Sequence, residues 1–115
     1  MTKIYGIKNC DTMKKAFKWL DNNNIEYEFH DYKKQGVDNG ILEQAINEHG
    51  WEVVINKRGT TWRNLPQTVK DTMNSEKALN IADDNPSVIK RPLLLHEQKT
   101  YIGFNEQTYA DILKA

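Results

Sequence analysis

A strand pattern, a helix pattern and a second strand pattern follow one another at the start of this chain, and their order constrains the fold more than any other feature. Lys3-Ile4-Tyr5-Gly6-Ile7 is short and rich in β-branched and aromatic side chains, as strands are. Met13, Ala16, Phe17 and Leu20 then recur at three- and four-residue steps, the spacing of one helix face. Asp21-Asn22-Asn23-Asn24 stops that helix, because Asn and Asp favour turns and caps. Ile25 to His30 alternates apolar and polar residues, which predicts a second strand. Two strands joined through a helix predict a βαβ unit and a parallel pair.

A polar stretch from Asp31 to Asn39 leads into a helix over about Gly40 to Glu48, with Ile41, Leu42, Ala45 and Ile46 on one face and Gly50 as its stop. Trp51 to Ile55 is an apolar run too short to assign to strand or helix. Lys57 to Trp62 reads as a loop. Helical stretches follow near Leu65–Met73 and Ser75–Asp83, the second capped by Asn74 or Ser75. Pro86 opens a further helical turn. Arg91-Pro92-Leu93-Leu94-Leu95-His96 predicts a strand led by proline, and Thr100 to Phe104 its antiparallel partner across a turn at Glu97-Gln98-Lys99. Asn105 caps a closing helix to Ala115, with Tyr109, Ile112 and Leu113 inward. The whole predicts one α/β domain with a mixed four-stranded sheet.

Cys10 is the only cysteine, and it stands where the first strand hands over to the first helix. A thiol there meets unpaired N–H groups and the positive end of the helix dipole, both of which favour thiolate. A free thiol near a pKa of about 8.5 shifts downward in such a place. The competing reading is a small buried hydrophobe; the polar neighbours Asn9, Asp11 and Thr12 favour the reactive one. A lone cysteine makes no internal disulfide, which suits a reducing, cytoplasmic setting. Met1 leads straight into a strand, with no apolar leader and no long apolar run, so neither export nor membrane insertion is expected. Sixteen basic residues balance sixteen acidic ones, which lacks the electrostatic footprint of direct nucleic-acid binding. Lys14, Lys15 and Lys18 read as a solvated helix face, while Lys57, Arg58 and Arg63 form a local basic group. His30, His49 and His96 share no metal-ligand spacing with Cys10, so no metal site is expected.

Three segments together, Tyr5-Gly-Ile7-Lys-Asn9-Cys10-Asp11-Thr12, Arg58-Gly-Thr60-Thr61-Trp62-Arg63 and Pro86-Ser-Val-Ile-Lys90-Arg91-Pro92, resemble the ArsC (arsenate reductase-like) family. The nearest likeness is to its YffB branch, with Spx-type regulators as cousins, and it runs from Lys3 to about Leu113. The resemblance implies a thioredoxin-like core over about 1–35 and 90–115, with a helical insertion over about 36–89. It implies no bound cofactor, with glutathione as co-substrate, and glutathione or another small thiol or disulfide, glutaredoxin or another protein as partners. In arsenate reductases of this family the cysteine attacks the oxyanion, glutathione resolves the adduct, glutaredoxin completes the reduction, and three arginines surround the thiol. Arg91 matches the arginine beside the family proline. The middle-loop arginine falls at Asn56, beside Lys57 and Arg58, and the third meets Ile102-Gly103-Phe104, which supplies no cation. Pro92 matches the proline that is cis in the family.

On these grounds Cys10 is the expected catalytic nucleophile. Thr12, Arg91 and Pro92 are expected to stabilise thiolate or substrate, and Lys8, Asn9, Lys57 and Arg58 are candidate ligand contacts. Arg91 suits an oxyanion or carboxylate through its planar fork of donors; a surface arginine tied to a nearby carboxylate is the plainer alternative. The expected activity is that of a glutathione-linked monothiol oxidoreductase. The alternatives are a partner-binding regulator like Spx, or a glutaredoxin-dependent arsenate reductase. The Cys-x-x-Cys switch of Spx-type regulators is missing, because position 13 is methionine.

Overall fold

The structure, a computed structural model, describes residues 1–114. They form two compact units, residues 1–35 with 91–114, and Gly36–Lys90.

The first unit holds strand β1 (Thr2–Gly6), helix α1 (Asp11–Asn22), strand β2 (Glu28–Asp31), a single helical turn α2 (Tyr32–Gln35), strands β3 (Leu93–His96) and β4 (Lys99–Ile102), and helix α8 (Glu106–Leu113). The sheet order is β2-β1-β3-β4. β1 runs parallel to β2 and antiparallel to β3, and β3 is antiparallel to β4. This is the mixed sheet expected, a thioredoxin-like α/β arrangement. Register places Phe29, Ile4, Leu94 and Tyr101 in one row across all four strands. Since partners across a ladder share a face, that row makes an apolar floor. Met13, Ala16 and Leu20 from α1 and Tyr109 from α8 join Ile4 and Leu94 in one core cluster.

Two boundaries differ from expectation for identifiable reasons. The alternation from Ile25 predicts a longer second strand, but β2 begins only at Glu28. Asn24 turns the chain at a φ of 56°, and the Ile25 N–H is held by the Leu20 carbonyl at 3.0 Å. Ile25 and Tyr27 therefore pack against the core before the chain reaches the sheet ladder. The turn between β3 and β4 is two residues, Glu97 (φ 50°) and Gln98 (φ 69°). Both have positive φ, as the tight hairpin turn that matches strand twist requires. α8 opens on the expected cap, with Asn105 Oδ1 accepting from the Thr108 N–H at 3.0 Å; Ala115, its expected end, lies outside the described residues.

The second unit contains α3 (Asn39–His49), α4 (Trp51–Val54), α5 (Thr60–Arg63), α6 (Gln67–Asp71), α7 (Ser75–Asp84) and a 3-10 turn at Pro86–Val88. Asp38 caps α3 through the Ile41 N–H, and Asn74 caps α7 through the Lys77 N–H. Leu42, Ala45 and Ile46 of α3 and Ala78 and Ala82 of α7 are buried. The ambiguous run at Trp51 is one helical turn, and Ile55 beyond it bridges antiparallel to Ile89. The predicted loop at Lys57–Trp62 carries one turn of helix in its second half. No helix among the described residues is long and apolar enough to cross a membrane.

Candidate active site

Sheet register brings the two ends of the first unit together at Cys10. Tyr5 is paired with Leu93, so continuing the antiparallel register by two steps sets Ile7 opposite Arg91. The turn that leaves β1 therefore runs beside the segment that enters β3. Cys10 ends that turn as the N-cap of α1, with extended backbone (φ −143°, ψ 131°), and its carbonyl accepts the first helical bond from the Lys14 N–H at 2.9 Å. Its thiol is free and partly exposed, with its inner side against the core cluster.

An N-cap side chain looks at the N–H groups of the second and third helical residues, here Thr12 and Met13. The sulfur makes no capping hydrogen bond of ordinary geometry, yet both amides lie close enough to influence its charge. Partial burial pushes the thiol pKa up. Against it act the Met13 N–H, a hydrogen bond from the Arg91 guanidinium, the Thr12 N–H and the positive charge of Arg91, and together they bring the pKa below its ordinary value. Thr12 contributes through its backbone N–H.

The Arg91–Pro92 peptide bond is cis. Pro92 is buried, and its carbonyl accepts from the Gly103 N–H at 2.8 Å, which ties the start of β3 to the end of β4. The position of the third family arginine is structural here. Gly103 turns the chain at φ 85°, and Phe104 meets Tyr109 edge-on at 4.8 Å. Lys8 and Asn9 are exposed in the turn before Cys10.

Lys57 and Arg58 belong to the second unit. Lys57 Nζ lies 3.5 Å from Glu52 Oε2, and 4.9 Å and 5.8 Å from the Trp51 and Trp62 ring centroids. Those two indoles stack at 5.9 Å. Arg58 donates its backbone N–H to Asn56 Oδ1 at 3.2 Å, so the residue at the middle-loop arginine position shapes this turn. With Glu52, Asn56 and Lys90, the two cations line a cleft of about 450 Å³. His30 lies against Tyr5 and Tyr32, and His96 Nδ1 is 2.8 Å from Thr2 Oγ1. Among the described residues no three His, Cys, Asp or Glu side chains converge as a metal site would require.

Sequence reasoning passed over Gly6 and Met13 as parts of this site. Methionine at the third helical position reads as core, and only the fold places it against the glycine that closes β1.

A thioredoxin-like sheet with a single cysteine at the N-cap position of its first helix defines the structural class. A model of the ArsC family matches residues 5–112, and the chain belongs to that family. It is 51% identical over 109 residues to a protein of Haemophilus influenzae, covering 95% of this chain and 96% of that one. The solved structure of a protein named YffB is 44% identical with a TM-score of 0.94, covering 98% and 99% of the two chains. A global transcriptional regulator Spx of Streptococcus agalactiae is 27% identical over 108 residues, covering 92% of this chain and 78% of the regulator.

Proposed function

We propose that the protein is a glutathione-linked monothiol oxidoreductase with Cys10 as its nucleophile, acting in the cytoplasm. The observation that carries this reading is the pairing of a partly exposed Cys10 with the Arg91 guanidinium at the opening of α1. The cycle uses one protein thiol. The Cys10 thiolate attacks the glutathione sulfur of a glutathione-containing disulfide, forming the Cys10–glutathione disulfide and expelling the other half as thiolate. A glutathione thiolate then attacks the glutathione sulfur of the Cys10–glutathione disulfide. That step restores the Cys10 thiolate and leaves oxidised glutathione. With no second cysteine in the chain, an external thiol must resolve the intermediate. Arg91 holds the developing thiolate and offers a planar donor fork to a glutathione carboxylate, and the exposed Lys8 and Asn9 are its neighbours in this role.

Incubation with oxidised glutathione followed by mass spectrometry tests the reading. One glutathione should add at Cys10 and leave on addition of reduced glutathione, with no adduct on Cys10→Ser. A wild-type protein that takes up no glutathione contradicts it. A second reading, a partner-binding regulator, draws on the likeness to the Spx regulator. It separates from the first by turnover: a regulator forms no catalytic cycle with glutathione and a mixed-disulfide substrate.

A further inference from the structure

We propose that Gly6 and Met13 form a positioning pair for the Cys10 thiol: the bare backbone of Gly6 seats the Met13 side chain, and that seat fixes how the first turn of α1 presents its N–H groups to the sulfur. The inference rests on the reading of Cys10 as nucleophile given above.

Gly6 is the last residue of β1 and is buried. Glycine weakens a strand, and one found there marks a bulge or a close approach. Here it is a close approach. A Cβ at residue 6 would stand 2.6 Å from Met13 Sδ and 2.8 Å from Met13 Cε, with Met13 Cγ at an ordinary 3.5 Å. Met13 is wholly buried in one cluster with Ile4, Ala16, Leu20 and Leu94, so its thioether has no route to solvent. Cores packed to crystal-like density transmit such a displacement instead of absorbing it. The close atoms belong to the flexible end of the Met13 side chain, and whatever displacement its packed neighbours do not let the thioether take up passes to the helix backbone at residue 13. That backbone carries the third N–H of α1, the group an N-cap side chain faces, and Cys10 is the N-cap. The Met13 N–H is also the strongest of the influences that favour the thiolate. The same methionine thus fills the core with its side chain and faces the reactive sulfur with its amide. Arg91 is the charged group facing the sulfur, and Asp11 and Lys8 flank it along the chain; the variants below leave all three in place.

The test is the rate of iodoacetamide alkylation of Cys10 against pH, in wild type, Gly6→Ala, Met13→Val and the double variant, with circular dichroism to establish folding. Gly6→Ala should move the alkylation midpoint upward, and below the midpoints its rate should fall about threefold or more, as half a pKa unit implies. Met13→Val lacks the atoms that meet the new Cβ, so the double variant should return towards the wild-type profile. A folded Gly6→Ala protein with the wild-type profile overturns the inference, as does a double variant displaced as far as Gly6→Ala. Should Gly6→Ala fail to fold, the decision passes to the other two proteins. Met13→Val should then be displaced upward and the double variant less so, and a wild-type profile for Met13→Val overturns the pair's role. If wild type itself titrates at the free-thiol value, the parent reading fails and the pair has nothing to position. A depressed wild-type midpoint with unmoved variants sinks this inference alone.

Discussion

Arg91 and Cys10 divide the chemistry of the site between charge and shape. Arg91 sets a positive charge and a donor beside the sulfur and also carries a planar fork for a carboxylate, and lysine keeps the charge and a donor but loses the fork. Arg91→Lys should therefore reduce glutathione affinity more than it reduces the alkylation rate of Cys10, checked by equilibrium binding and by alkylation at one pH. Equal behaviour of variant and wild type in both assays makes Arg91 a structural residue. Cys10 was legible from sequence as a strand–helix thiol, because the local pattern alone defines that junction. Its partner was legible only through family resemblance. The two residues lie far apart in the chain, and local periodicity does not report pairing between distant strands. The Gly6–Met13 contact carries no sequence signal, since its cause is a distance between side chain and backbone.

Among the elements, long periodic segments were the readable ones. α1, α3, α7 and the β3–β4 hairpin follow their patterns because each buries one continuous apolar face or ladder. Single turns such as α2, α4 and α5 have too few residues to establish a period. β2 starts later than the alternation predicts because alternation records which side chains are buried, whereas a strand is defined by its ladder. α8 offers a prediction at this scale. Its Tyr109 is 1% exposed, and burial holds its phenol pKa well above the ordinary tyrosine value of about 10. An unfolded chain releases that proton first, so the stability tied to the protonated phenol is present below about pH 10 and lost as pH rises further. Thermal melts between about pH 9 and pH 11 should show a shallower loss of stability in Tyr109→Phe than in wild type. Identical slopes would show that other groups govern alkaline unfolding.

For the whole molecule, membership of the ArsC family raises arsenate reduction as an activity, and the chain's own residues argue against efficiency. Phe104 is committed to packing on Tyr109, and Asn56 to the turn before Arg58, where the resemblance implied cations. Each missing charge-assisted hydrogen bond typically costs about 1.5–3 kcal/mol, and losing one or two weakens oxyanion stabilisation by roughly one to several powers of ten. Arsenate turnover with glutathione and glutaredoxin should accordingly be weak or absent. Efficient turnover would contradict this reading of Asn56 and Phe104. The central claim, that Cys10 is an activated nucleophile, is tested most directly by the pH dependence of its alkylation in the wild-type protein. The account predicts a midpoint below the free-thiol value of about 8.5, and a midpoint at or above that value contradicts it.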